Sequence, residues 1–248
     1  MSGESAWKLA GDRALLECGP LVGEAHFGAA GIRFLVTAWK GQREDKTSLF
    51  ASDITNDYLT KTDLTEAYTR GGDLVANFAK SERHIVPQVY FRASCDESTS
   101  AIRLELILSV QTDLLDSRPE CGLGSYVWDA QLFHSRTLMA NAFERVPDLE
   151  DRVFDRGESP THLFLMRVNG HNFSYAELVH PSDFVRANAG TGGTPLAAVE
   201  YTLFPEPLEK GVIRRARICG WFMPPENDLA TAVELARKFI DEPLPLTA

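Results

Sequence analysis

The sequence predicts a mainly β protein, a large antiparallel sandwich closed by one C-terminal helix. Three observations carry that expectation. Ala101–Thr112 puts Ile102, Leu104, Leu106, Leu108 and Val110 on one face, with Arg103, Glu105, Ser109 and Gln111 on the other. A strict period of two over this length belongs to a strand. Asn169-Gly170 lies between two apolar, aromatic runs and is the strongest local hairpin signal. Near the end, Leu229, Ala232, Val233, Ala236, Phe239 and Ile240 recur at helical spacing.

Taken in order, Ile32–Trp39 is β-branched and aromatic enough for a strand, entered from Gly28-Ala-Ala-Gly31. Tyr58–Tyr68 alternates loosely, with Thr60, Thr62, Leu64 and Tyr68 on one side. Val86–Ala93 precedes the Ala101–Thr112 strand across the polar turn Cys95–Ser100, so the two should pair antiparallel. Pro87 lacks a ladder donor and belongs at a strand start or an edge. Ser135–Val146 carries Met139, Ala142, Phe143 and Val146 at helical spacing before Pro147, which predicts a short helix. Asp148–Pro160 is charge-rich and reads as loop.

A two-residue type I′ turn at Asn169-Gly170 would set Val168 opposite His171, Met166 opposite Phe173, Phe164 opposite Tyr175 and His162 opposite Glu177. Ala198–Phe204 and Val212–Phe222 are further strands, the second with a bulge expected near Ile213-Arg214. The final helix has Asn227 as its expected cap, Asp228 in its acidic first turn, Arg237-Lys238 near its end, and Pro243 beyond.

A faint similarity links Glu66–Val75 to Glu177–Val185 and raises a possible duplication of halves over about 21–115 and 160–223. Without a Pro/Gly/Ser-rich linker between them, residues 1–248 read as one domain.

The formal net charge is −10, from 35 acidic and 25 basic residues. A nucleic-acid backbone would be repelled at long range, and the one dense basic run, Arg214-Arg215-Ala216-Arg217, reads as a solvated strand face or surface ion pairs, with anionic-ligand binding as the minor alternative. No apolar run approaches the roughly 18 residues a membrane helix needs. The N-terminal residues lack a signal-peptide pattern, so a cytoplasmic location is expected. Cys18, Cys95, Cys121 and Cys219 are far apart and form no Cys-x-x-Cys pair, as expected for buried thiols.

The hairpin register singles out His162 and Glu177. A carboxylate accepting from one imidazole nitrogen fixes the tautomer and leaves the other nitrogen for proton transfer. His180 and Asp183, in His180-Pro-Ser-Asp183, close the same strand and complete a candidate catalytic cluster. The structural alternatives are a polar couple at the core rim and ordinary turn chemistry. Gly190-Thr-Gly-Gly-Thr-Pro195 lacks the Gly-Lys-Ser/Thr ending of a phosphate loop, and Gly122-Leu-Gly-Ser125 fails the same tests. Asp53 and Asp57 resemble a calcium loop only superficially. No cofactor motif or metal-ligand spacing is present, and no nucleophile elbow supports a Ser-His-Asp triad.

Two function classes stay open. One is a binding or assembly protein for a small ligand or a protein partner, which the lack of a catalytic motif favours. The other is an enzyme acting on a small polar substrate such as a sugar. Fold alone does not decide between them.

Overall fold

The computed structural model describes residues 6–28, 31–52, 59, 62–96, 98–147 and 151–243. The Asp53/Asp57 segment therefore lies outside the described residues, as does most of Tyr58–Lys61. The chain begins with β1 (Trp7–Ala10), β2 (Arg13–Cys18), β3 (Leu21–Gly28), β4 (Gly31–Trp39), β5 (Gln42–Arg43) and β6 (Thr47–Ser52). Then come β7 (Leu64–Arg70), β8 (Asp73–Phe78), β9 (Ile85–Asp96) and β10 (Ala101–Thr112). The second half supplies β11 (Cys121–Trp128), β12 (Ala130–Ser135), β13 (Glu144–Arg145), β14 (Arg152–Asp155) and β15 (Leu163–Val168). It ends with β16 (Ser174–Val179), β17 (Arg186–Gly190), β18 (Leu196–Leu203), β19 (Ile213–Met223) and helix α1 (Asp228–Asp241).

These strands make two antiparallel sheets. The ten-stranded sheet runs β1-β2-β3-β4-β6-β11-β18-β17-β14, with β5 beside β4. The nine-stranded sheet runs β13-β12-β15-β16-β19-β10-β9-β8-β7. Each half of the chain contributes strands to both sheets, and the inner faces of the two sheets share one core. Period-two alternation along each strand fills it, as face-to-face sheet packing requires. Phe91 is a hub, with ring centroids 6.0–6.4 Å from Trp7, Phe27, Phe34 and Phe50. Trp39, Phe173, Tyr175 and Phe222 form a second aromatic group.

The Ala101–Thr112 strand is central, paired with β9 on one side and β19 on the other. The pairing of β10 with β19 runs without a shift, so the bulge expected near Ile213-Arg214 is not formed. Pro87 is the third residue of β9, just beyond the last residue that β8 pairs. Ser135–Val146 is not the expected helix. Its start belongs to β12, a single 3-10 turn spans Ala140–Ala142, and Glu144–Arg145 pairs with β12. The stripe read there is split: Met139 is 48% exposed, Phe143 packs against the residues under α1, and Val146 is buried in the main core.

The hairpin of β15 and β16 exists, but its register is offset by two residues. Met166 faces Tyr175 and Phe164 faces Glu177. Tertiary anchors explain this. A type I′ turn needs positive φ at both central residues, and among Asn169 and Gly170 only Gly170 has it. Asn169 instead binds the β11–β12 turn, its backbone N–H donating to Asp129 O at 2.8 Å and its Nδ2 to Asp129 Oδ1 at 3.0 Å. His171 bonds Glu44 at 3.0 Å, and Trp39 Nε1 donates to Asn172 O. A slip of two, unlike a slip of one, keeps every side chain on its face.

Helix α1 lies on the outer face of the nine-stranded sheet. Ala232, Val233, Leu235, Ala236 and Phe239 pack on Leu163, Leu165, Ala176, Leu178, Cys219 and Trp221. Asn227 adopts left-handed geometry and makes no side-chain cap. Asp228 anchors the helix start instead. It is buried and accepts two bonds from Arg167 (2.8 and 2.7 Å) and one from Ser174 (2.7 Å). Burial alone would raise its pKa, but these donors outweigh it and hold the carboxyl below its ordinary value. No helix among the described residues is long and apolar enough to cross a membrane.

Asp228→Ala should destabilise the protein by about 2 kcal/mol, because it strips Arg167 and Ser174 of their shared acceptor in a partly buried setting. Urea unfolding of variant and wild type measures this. Identical midpoints would mean that helix docking does not depend on this anchor.

Candidate active site on the ten-stranded sheet

A pocket of about 420 Å³ opens on the outer face of the ten-stranded sheet, over β11, β18, β17 and β14. Alternation determines what it sees. Along β11, Leu123, Ser125 and Val127 are buried, while Tyr126 is half-buried and Trp128 exposed on the opposite face. Along β18, Ala197, Val199 and Tyr201 point inward, leaving Leu196, Ala198 and Glu200 outside. Register then aligns Asn188, Glu200 and Gly124 in one row, and Gly190, Ala198 and Tyr126 in the next. The small residues hollow the face.

Gly124 has a specific task. A Cβ there would lie 2.5 Å from Tyr126 Oη, so only glycine lets the tyrosine lie back across its own strand. Lying so, the Tyr126 hydroxyl donates to Glu200 Oε1 at 2.9 Å. The pairing of β11 with β6 shifts register between Gly124 and Tyr126, a local irregularity of the kind that re-aims side chains. The lining also carries the polar side chains of Asp151, Arg152, Asn188, Thr191 and Thr194 beside the apolar Val153, Leu196 and Ala198.

Directly beneath, the inward residues of the same two strands meet Glu177. This carboxyl is fully buried between the sheets, and burial pushes its pKa up to about 7. The nearby hydroxyls of Ser125, Tyr175 and Tyr201 pull the other way. Only the Tyr175 bond to Oε2 is well formed, at 2.8 Å; Glu177 Oε1 and Tyr201 Oη face this cluster without a well-aligned partner.

The structure scatters three ways the four residues singled out in the sequence. His162 and Glu177 are not a couple, because the two-residue offset carries His162 past the ladder. His162 Nε2 lies 2.9 Å from Ser159 O and its Nδ1 lies 3.0 Å from His134 Nε2. A carbonyl can only accept, so His162 carries its proton on Nε2 and His134 donates to Nδ1. Both rings stack among Phe154, Phe164 and Phe184. Burial lowers both pKa values, that of His134 to about 3. His180 and Asp183 do come together, bridged by Ser182 Oγ, which is 2.7 Å from each. Asp183 also accepts from Arg217 N at 3.0 Å, and His180 sits edge-on to Phe239 of α1.

The outer face of the nine-stranded sheet carries a separate charged group. Arg92 grips Asp73 with two bonds (2.8 and 2.9 Å), and Arg103 binds Glu105 (2.9 Å) and Glu242 (2.8 Å). Arg217, from the run read as a solvated face, is buried, with its guanidinium 4.8 Å from the centre of the Phe239 ring. No three His, Cys, Asp or Glu side chains among the described residues are grouped as a metal would require.

Sequence reading missed Tyr126, Glu200 and Asn188. A signal existed: Gly122-x-Gly124-x-Tyr126-x-Trp128 sets two small and two aromatic residues along one strand face. Of the glycine-rich segments set aside as phosphate loops, Gly190–Pro195 lines this pocket through Gly190, Thr191, Gly192 and Thr194, and Gly122–Ser125 leads directly into Tyr126.

The sandwich is similar to known structures. A galactose mutarotase related enzyme from Lactobacillus acidophilus aligns over 84% of this chain and 96% of its own, at 6% identity and a TM-score of 0.54. An aldose epimerase homologue from C. elegans aligns over 85% and 98%, at 9% identity and a TM-score of 0.52. At such identities the likeness establishes a shared fold. No protein-family model matches the chain, and no curated protein matches it in sequence.

The buried carboxyl makes a pH prediction. The fold holds Glu177 protonated up to about 7, whereas the ordinary value is 4.5, so native stability falls as pH rises through that window, by up to about 3 kcal/mol. The neutral histidines act oppositely, adding stability as pH rises towards 6.5. Glu177→Gln keeps the acceptor for Tyr175 and removes only the titration. Its stability relative to wild type should climb between pH 5 and pH 8 in urea unfolding. A pH-independent difference would show that Glu177 does not titrate as a buried acid.

Proposed function

We propose that this protein is a sugar-directed enzyme of the mutarotase type, working at the Tyr126–Glu200 pocket. The observation that carries this is a phenol and a carboxylate 2.9 Å apart in a cavity of about 420 Å³, on an open strand face that also carries Asn188, Thr191 and Thr194. The shared fold with a mutarotase-related enzyme and an aldose epimerase homologue supports it.

Interconverting sugar anomers needs one group to accept a proton and one to give it. Glu200 takes the proton of the anomeric hydroxyl while Tyr126 gives its own to the ring oxygen. The ring C–O bond breaks to the open-chain aldehyde, rotation exposes its other face, and closure returns both protons. Asn188, beside Glu200 in the ladder, offers an amide to a neighbouring hydroxyl. In this reading Glu177 supports the pocket floor from below, His162 belongs to an aromatic packing cluster, and His180 with Asp183 anchors the turn after β16. A sugar-binding protein without turnover is the second reading, favoured because no imidazole lines the pocket among the described residues.

Polarimetry of freshly dissolved α-D-glucose and α-D-galactose tests the proposal. The protein should speed the approach to anomeric equilibrium, and Glu200→Gln or Tyr126→Phe should each cost about 100-fold or more in rate. Their unfolding curves should stay close to wild type, since Glu200 is exposed. A wild-type rate equal to that of buffer, with sugar still bound, would leave the binding reading in its place.

A further inference from the structure

The Thr191–Pro195 loop has open space on both flanks. One flank is the Tyr126–Glu200 pocket. The other is a second pocket of about 330 Å³, whose polar lining includes Asp129, Gln131, Arg145 and Asn169. Thr191 and Thr194 line both, so the pockets meet across this loop. Little stands between them. The backbone N–H and the hydroxyl of Thr194 both donate to Thr191 O at 2.9 Å, folding the loop on itself. Gly192 and Gly193 at its tip have positive φ, and a Cβ at Gly192 would meet nothing within 4 Å.

The chemistry of the second pocket matches the first. Amides and a carboxylate can each exchange hydrogen bonds with hydroxyl groups, and two of them are held in place, because Asn169 is bonded to Asp129 through both side chain and backbone. Trp128, 46% exposed, pairs in the ladder with Leu196 of the first pocket and precedes Asp129 of the second. It follows Tyr126 on the same face of β11, roughly 7 Å along the strand. An exposed indole beside polar groups offers a flat apolar surface for the C–H face of a sugar ring. Each pocket is of small-ligand size, and an occupant filling both must be elongated, polar and hydroxyl-rich.

We propose that the site takes an oligosaccharide by its reducing end, at least two sugar units long. The first ring lies over Tyr126 and Glu200, and the second crosses the 191–194 loop into the Asp129–Gln131–Asn169 pocket. This rests on the sugar-directed reading of the first pocket. It adds that the second ring supplies binding energy and selects the substrate.

The test uses the full chain, ¹⁵N-labelled, titrated with D-glucose, maltose and cellobiose and with D-galactose and β-1,4-galactobiose. Mutarotation of the same sugars is followed by polarimetry. One disaccharide should bind at least ten-fold more tightly than its monosaccharide, shifting the amides of Gly193 and Asn169 along with those of Gly124–Tyr126. Gln131→Ala, a partly exposed position on β12, should remove that advantage and leave monosaccharide affinity unchanged. Trp128→Ala should weaken the disaccharide more than the monosaccharide. Tight disaccharide binding without turnover would overturn the mutarotase reading and uphold the extended site. Turnover with equal affinity for one and two units, or shifts confined to the Tyr126 side, would overturn the extended site and uphold the mutarotase reading. Binding of none of these sugars would overturn both.

Discussion

The constraint on which this structure depends is that two wide sheets share a single interior. Residue identity along every long strand is then dictated in alternation, and one face of each sheet is committed to packing. On the nine-stranded sheet the second face is largely taken as well. Helix α1 covers its apolar half, and ion pairs around Arg92, Arg103 and Glu105 fill much of the rest. On the ten-stranded sheet, β11, β17 and β18 keep their outer face open to solvent, and there the polar residues need satisfy no core. The candidate site sits where the fold leaves side chains uncommitted.

That division explains what could be read from the chain. Burial imposes pattern, and pattern is local. Ala101–Thr112 announced itself because one of its faces lies against the core, and α1 did so because its stripe meets Trp221 and Leu165. The hairpin face was legible for the same reason. Its register was not, because Asn169, His171 and Asn172 are held by Asp129, Glu44 and Trp39, far away in sequence. Local turn preference lost to these tertiary anchors. Ser135–Val146 erred the other way: Met139, Ala142, Phe143 and Val146 have helical spacing, but the edge of β12 takes Glu144–Arg145 as a strand and Val146 N–H donates to Leu132 O, and spacing alone does not make a helix.

The site was illegible for a related reason. Tyr126 and Glu200 are 74 residues apart, and nothing in either segment states that β11 and β18 are neighbours. Proximity along one hairpin pointed instead to His162 with Glu177, a pairing that the true register dissolves. What the sequence did hold was the space around the site. Glycines at 122, 124, 190 and 192 looked like failed phosphate loops, whereas what they provide is room on a strand face and at its rim.

One geometric device recurs and links the interior to the pocket. Gly124 faces Glu200 across the ladder, and Tyr126 lies over the glycine to reach that carboxylate. In the other sheet Gly220 faces Glu177, and Tyr175 lies over it to do the same, a Cβ at position 220 falling 2.3 Å from its hydroxyl. The arrangements are alike in parts and differ in surroundings. Outside, solvent reaches the pair and a ligand hydroxyl can enter between phenol and carboxylate. Inside, both partners are fully buried, and desolvation raises both acids, Glu177 to about 7 and Tyr175 well above its ordinary value. A tyrosine and a glutamate placed by a glycine are therefore not in themselves a catalytic signature. The same three residues make an internal strut when both sheets cover them and a candidate acid–base pair when only one does, so the layer in which they lie, rather than their identity, decides their chemistry.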